Sequence, residues 1–436
     1  MLLYIPHITS RLHYIVDFIS KELFDDPVMI TSDKEVFVLS PLPKLNYSDM
    51  EITETEFFIR NTPLLFETGI DDQHIECFDL NYHKAFFETK GDFPFDIFAA
   101  SFYLLSRYEE YLPHQKDEYG RYAHTESLAY REGFLDMPLI NIWLVEFKKA
   151  LSARFPELIF RYPSFKFIPT YDIDIAYSYL HKGWFRNTGG LLRSVVYGEW
   201  PAVKERLNVL RGLRQDPYDA YEWLDALHLY CRMRPYYFFL VARRRKGVDK
   251  NISPDSAAMQ DLMRYHSIGS RIGLHPSWQS GDDHSLLREE LEYMEYVTDN
   301  KVNRSRQHYI RFTLPQTYRR LIDLTIEQDF SMGYGSINGF RASVASSFYW
   351  YDLENEKATS LRIFPFCFMD ANAFFEQHFT ASQARNELMH YYHIIRKVNG
   401  LMVTIWHNSF LGSDPQFAGW KEVYEIFLKE EVYWDM

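Results

Sequence analysis

From residue 166 onward the chain alternates short apolar runs with amphipathic stretches, and this rhythm restricts its fold more than any other feature. The apolar runs cover residues 167–171, 236–241, 271–274, 308–312, 329–332, 361–368 and 402–406. Their lengths suit strands rather than helices. Between them, residues 219–231, 255–265, 284–296, 315–325 and 382–398 read as helices. Strands that alternate with helices are joined by crossovers, so they pair in parallel. Seven such units suit a closed or nearly closed barrel, and the expected fold class is α/β. Residues 172–218 form a long excursion after the first strand, with Trp184, Gly189-Gly190 and Trp200, placed to cover one end of the barrel.

The first 160 residues have a different texture. Residues 10–23 read as a helix with Ile15, Phe18 and Ile19 on one face, and 35–39 as a strand. Residues 95–111 read as a helix that buries Ile97, Phe102, Leu105 and Tyr108, and 139–151 as another. A chain of 436 residues exceeds one ordinary core. The expected division is a smaller α+β accessory domain over 1–160 and a barrel over 161–436.

Composition removes several functional classes. With 47 Lys and Arg against 60 Asp and Glu, the net charge is −13, which argues against a nucleic-acid partner. The run Arg243-Arg244-Arg245-Lys246 is short and reads as a solvated loop. Three scattered cysteines, Cys77, Cys231 and Cys367, give neither a disulfide framework nor a cysteine zinc knuckle. The N-terminus lacks a basic start and makes a poor signal peptide, and no run approaches a membrane span. The expected compartment is the cytoplasm. Aromatic residues make up 17% of the chain, chiefly for core packing, with some left for stacking on sugar rings. His74, His83, His114 and His124 are scattered and read as surface or hydrogen-bonded histidines.

Chemistry concentrates at the strand ends. Asp172 and Asp174 follow the first strand, His275 the third, Asp370 the sixth and His407 the seventh. His308 opens the fourth, and Arg341 follows the fifth by several residues. In β/α barrels the active site collects at the C-terminal strand ends. Alternation along Asp172-Ile173-Asp174 would point both carboxylates the same way. Their repulsion then calls for a cation or a shared proton. Each motif alone also reads as a helix cap or a turn residue; their occurrence together at equivalent strand ends is what carries chemistry. Such a set suits a divalent metal and metal-assisted hydrolysis.

Five of these pieces together resemble the polysaccharide-deacetylase (NodB-homology, chitin-deacetylase) superfamily over residues 166–410. Thr170-Tyr171-Asp172-Ile173-Asp174 resembles the motif that supplies the base and a metal-binding Asp. Gly273-Leu274-His275 resembles the metal-histidine motif. Gly339-Phe340-Arg341-Ala342-Ser343 resembles the motif whose Arg orients the catalytic carboxylate. Phe368-Met369-Asp370 stands at the fourth motif, and Ile405-Trp406-His407 resembles the fifth, whose His is the general acid. The N-terminal region, including Ser106-Arg107-Tyr108-Glu109-Glu110-Tyr111, resembles the accessory region ahead of such domains. The fold implied is a distorted (β/α)7 barrel.

Two departures stand out. Ile173 separates the aspartates, which are adjacent in the family pattern, so Asp172 and Asp174 could exchange roles. The family's second histidine, four residues after His275, is here Gln279; His308 is the best replacement and His284 a weaker one. The resemblance implies Asp174, His275 and His308 on a divalent metal, zinc first, and Asp172 as base. It gives His407 as acid, with Arg341 and Asp370 holding the catalytic groups. The implied reaction is N-deacetylation of an N-acetylated amino sugar or polysaccharide precursor. The alternatives are an amidase on a small non-sugar amide, or a catalytically degenerate carbohydrate-binding or scaffold protein. Trp278, Tyr334 and Trp406 are candidates to stack on a sugar. The sequence sets no oligomeric state.

Overall fold

The computed structural model describes residues 1–243 and 247–435. The N-terminal part holds a four-stranded parallel sheet in the order β2-β1-β3-β4, made of β1 (Leu2–Tyr4), β2 (Met29–Thr31), β3 (Lys44–Ser48) and β4 (Phe57–Arg60). A hairpin, β5 (Cys77–Leu80) and β6 (His83–Phe86), follows it. Helix Ser10–Leu23 starts at Thr9, whose hydroxyl accepts from the Leu12 N–H, and it buries Leu12, Ile15 and Ile19. Residues 34–39 are a helix rather than the expected strand. Asp33 accepts from the Glu35 and Val36 N–H groups, and this local cap outweighs the β preference of Val36 and Val38. The long helix expected over 95–111 also divides. Ile97–Leu105 is α-helical, Arg107 turns left-handed at φ 55°, and Tyr108–Tyr111 is a 3-10 turn. That break brings the Arg107 side chain onto Glu109 and Glu110.

The large sheet comprises β7 (Lys166–Ile173), β8 (Tyr236–Leu240), β9 (Arg271–His275), β10 (Arg304–Ser305), β11 (Gln328–Asp329), β12 (Phe348–Asp352), β13 (Lys357–Ile363), β14 (Phe368–Met369) and β15 (Leu401–His407). Its order is β12-β13-β11-β10-β9-β8-β7-β15-β14, parallel at every pairing except β12–β13. Every residue of β8, Tyr-Tyr-Phe-Phe-Leu, is buried, as a parallel strand covered on both faces should be. Helices Tyr221–Tyr230, Ala257–Gly269, His284–Thr298, Gln316–Asp323 and Ala381–Lys397 lie within two residues of the expected starts. The excursion after β7 forms helices Gly183–Val196 and Trp200–Leu210.

The strand expected over 329–332 shortens to Gln328–Asp329, and two further strand expectations change. Residues 308–312 are not a strand: Tyr309 and Ile310 have φ of 58° and 54°, which no extended strand accepts. The strand at that place is β10, so His308 follows a strand instead of opening one. Residues 361–368 do not form one unbroken strand either. Phe364 and Phe366 donate to Asp329 O and Met332 O on the β11 side, then Cys367 donates to Val403 O on the β15 side. The result is a mixed, parallel-rich sheet rather than a ring of seven unbroken strands.

The two parts are tied by buried contacts. Phe102 meets Tyr351 edge-on at 5.2 Å, the Tyr14 hydroxyl donates to Tyr349 O, and Arg11 Nε donates to Glu356 at 2.9 Å. Among the described residues no helix is long and apolar enough to cross a membrane. Arg243 is exposed, 3.6 Å from Asp255, whereas the rest of the basic run, 244–246, lies outside the described residues.

Candidate metal centre

Parallel pairing brings the ends of distant strands to one rim. Asp172 on β7 stands in register with His407 on β15, and Leu240 on β8 with His275 on β9. The turn after β10 adds His308. Asp172, Asp174, His275, His308 and His407 all line one cavity of about 460 Å3.

Asp174 is the hub. Its Oδ1 lies 3.1 Å from His275 Nε2, and its Oδ2 lies 3.5 Å from His308 Nε2 and 3.4 Å from His407 Nε2. Backbone and carboxylate partners fix each ring. His275 Nδ1 meets the Arg306 carbonyl at 2.5 Å. A carbonyl only accepts, so Nδ1 carries the proton and Nε2 is left to face Asp174. His308 Nδ1 is held by Asp249 Oδ1 at 3.0 Å, and His407 Nδ1 by Asp370 Oδ1 at 2.6 Å. Asp370 also accepts from the His407 N–H. Carboxylate-backed or carbonyl-backed histidines are the usual outer support of metal sites.

The donor set fits a divalent cation. One ligand atom each from Asp174, His275 and His308 lie within 4.8 Å of one another. Asp174 Oδ1 is buried and makes no hydrogen bond of acceptable geometry, despite the 3.1 Å approach of His275 Nε2. Two lone-pair atoms facing each other suit a shared cation better than a donor and acceptor. Burial works against charge on Asp174, yet His308 and His275 hold it well below the usual carboxylate range. Burial likewise opposes charge on His308, but Asp174 and Asp249 push it up to about 9. The carboxylate is thus balanced by the His308 ring proton, which a cation would displace. One Asp and two His suit zinc or a similar ion.

Asp172 is held differently. Arg306, fully buried, donates from Nη1 to Asp172 Oδ1 at 2.8 Å and from Nε to Phe330 O at 3.0 Å. Its guanidinium lies over Phe238 at 4.4 Å. Asp172 Oδ2 is 3.8 Å from His275 Nε2, turned toward the cation position. His407 is pushed well above the ordinary imidazole value; burial opposes the shift, but Asp370 and Asp174 outweigh it.

Arg341 is elsewhere. It is buried and gives its donors to Glu110 and to Gly333 O, not to Asp172 or His407. The guanidinium beside Asp172 belongs to Arg306, the first residue after β10. Its place at a strand end was the available signal, hidden because the fourth strand is expected to start at 308, four residues after the observed start at Arg304. Asp249 was also missed; it lies in a loop with no periodicity to single it out. His284 starts a surface helix, 3.4 Å from Arg288, and takes no part. Trp406 and Tyr334 are buried, and Trp278 packs on Tyr309 and Arg311 outside the cavity lining. The aromatic wall is instead Tyr119, Tyr218, Tyr309, Phe375, Phe410 and Phe417. Tyr119 and Arg121 reach it from the N-terminal part, with Arg121 Nη1 donating to Tyr309 O at 2.9 Å.

The fold and site together define an α/β protein with a candidate metal centre at parallel strand ends. A model for a family of unknown function (DUF7033) matches residues 1–156. No curated protein matches the chain. Among solved structures the chain is similar to a protein assigned as a polysaccharide deacetylase from Mycobacterium smegmatis, at 12% identity and a TM-score of 0.39 over 62% of this chain and 87% of that one. It is also similar to Puue allantoinase, at 9% identity and 0.40 over 61% and 83%. At these scores the reading rests on the side chains.

Proposed function

We propose that this protein is a metal-dependent hydrolase of carbon–nitrogen amide bonds that deacetylates an N-acetylated amino sugar or a polysaccharide precursor. The observation that carries it is the meeting of Asp174, His275 and His308 beside Asp172 and His407 in one cavity. The reading takes residues 1–160 as an accessory module and the large sheet as a distorted barrel of the deacetylase type.

Asp174, His275 and His308 would hold the cation. A divalent cation there supplies Lewis acidity toward an amide carbonyl and toward water. Asp172 takes the proton from the attacking water through Oδ2, while Arg306 keeps Oδ1 engaged and the carboxylate oriented. The water oxygen bonds to the carbonyl carbon, and the carbon–nitrogen bond then breaks. His407 Nε2 protonates the departing nitrogen, with Asp370 holding Nδ1. Products are a free amine and a carboxylate. A volume of about 460 Å3 falls in the range of small-molecule sites and admits one or two sugar rings.

The test is to purify the protein without chelator, measure bound metal, and assay acetate release from N-acetylglucosamine oligomers beside a panel of small amides. One divalent ion per chain and acetate release are expected. Asp172→Ala and His407→Ala should each lower turnover by about 10²–10⁴-fold with metal retained. Sugar binding with neither metal nor turnover would replace the hydrolase by a binding protein.

A further inference from the structure

The closing ends of the parallel strands form the metal cavity; their opening ends line a second cavity of about 830 Å3. Lys166, Tyr236, Arg271, Arg304 and Gln328 are the first residues of β7, β8, β9, β10 and β11, and all five line it. Helix Ser10–Leu23 contributes Asp17, Lys21 and Glu22 to the same cavity.

The charge there is unbalanced. The Arg271 and Arg304 guanidinium groups share the ring of Tyr236, at 5.0 and 5.8 Å. Half-buried Arg304 bonds the neutral Gln328 amide at 3.2 Å, and Arg271 bonds the Tyr236 hydroxyl. Among the described residues neither forms an ion pair with a carboxylate. Arg362, also on the cavity wall, donates to the Ser347 hydroxyl at 3.1 and 2.7 Å. Two acids also line the wall: Asp17 holds Lys21 at 2.6 Å, and Glu22 accepts from the Ser346 hydroxyl at 2.8 Å and lies near Arg161 and Arg362, away from the Arg271–Arg304 pair's contacts. Burial depresses Arg304 and nearby Arg271 and Arg234 add to this, while Tyr236 and Glu327 partly oppose it. In a chain of net charge −13, Arg271 and Arg304, clustered with no carboxylate in contact among the described residues, are a local excess that a bound anion would relieve.

We propose that this cavity binds a small phosphate-bearing polyanion, with Arg271 and Arg304 as its principal ligands. Paired guanidinium forks match phosphate oxygens in geometry and charge. The volume lies within the ~300–1,000 Å3 of small-molecule sites, and Tyr236 supplies an apolar floor. The site is independent of the hydrolase reading, because it sits at the opposite ends of the same strands.

The test titrates the full-length, metal-loaded protein with pyrophosphate by calorimetry, in parallel with a sugar phosphate and a nucleoside diphosphate to identify the source of the phosphate. Saturable binding and a raised Tm are expected. The double variant Arg271→Gln, Arg304→Gln should bind at least ~10-fold more weakly, because both charged forks are removed. Its metal content should be unchanged. Equal binding by wild type and variant would place the anion at the metal centre and overturn the proposal. So would no binding at millimolar pyrophosphate, or binding only of single-stranded RNA or anionic vesicles. If the variant does not fold, the wild type still decides: pyrophosphate should protect Arg271 and Arg304 from phenylglyoxal, read by mass spectrometry, and unprotected arginines would sink the idea.

Discussion

The carboxylate of Glu110 forks around the guanidinium of Arg341, with Nε at 2.8 Å and Nη2 at 2.6 Å, both groups buried. The same carboxylate takes Arg107 Nε at 2.7 Å. Glu110 thus bridges two buried arginines, Arg341 from the large-sheet part and Arg107, which Glu109 also holds at 2.8 Å. Glu110→Ala would leave Arg341 without a carboxylate and Arg107 with Glu109 alone, and should cost about 3–5 kcal/mol in urea denaturation. Glu110→Gln keeps the acceptor oxygen and should cost less. Loss of turnover per folded molecule in Glu110→Gln, with stability kept, would mean that the pair serves the site rather than the join.

Arg306 should behave differently. Arg306→Lys retains a charge but cannot bond Asp172 and Phe330 O together from a planar fork. Turnover is expected to fall about 10–100-fold with metal content unchanged. Equal loss of metal and turnover would show that Arg306 supports the ligands instead, through the carbonyl that holds His275.

Much of this was legible in the sequence, for a definite reason. Strands buried on both faces write themselves as apolar runs, and parallel pairing puts their ends at one rim, so Asp172, Asp174, His275 and His407 could be placed before any coordinates. The excess of apolar residues at helical spacing likewise fixed residues 10–23 as a helix. What failed was local. β10 has two residues, too short to leave a periodic signal, so His308 was put at the start of a strand it follows. Residues 34–39 carry β-branched side chains, yet the Asp33 cap decides their shape. The Arg341 expectation came from motif likeness, which carries no information on which of two buried arginines faces Asp172. Only the register of β9, β10 and β11 separates them.

Asp249 offers a test of the metal reading apart from catalysis. It holds His308 Nδ1 at 3.0 Å and also accepts from the Trp278 N–H at 3.1 Å. Asp249→Asn should weaken metal binding about 10–100-fold, because the His308 ring loses its charged anchor. Competition with a chelator, read by metal analysis, measures this without a substrate. Unchanged affinity would remove His308 from the ligand set.

Groups remote from the metal also shape acid stability. His228 and His266 are buried behind the sheet; burial pushes His228 down to about 3, with His266 adding to it, and burial pushes His266 down to about 4. His228 Nε2 meets the Tyr171 hydroxyl at 2.6 Å, whereas among the described residues neither His266 ring nitrogen has a hydrogen-bond partner, and its ring lies 4.0 Å from that of Tyr237. Below the ordinary imidazole value of about 6.5 the unfolded chain binds protons that the folded rings refuse. The unfolded state then holds more protons, so stability falls as pH drops from about 6.5 toward 4, by about 1.4 kcal/mol per pH unit for each ring. Glu110 acts lower. Burial opposes its charge, but Arg341 and Arg107 hold it down at about 2, so its contribution is full above the ordinary value of 4.5 and is lost as pH falls through 2. His266→Phe should therefore flatten the upper part of the acid limb in denaturation curves and leave the lower part intact. An unchanged slope between pH 6.5 and 4 would mean that water reaches these rings and charges them in the folded protein.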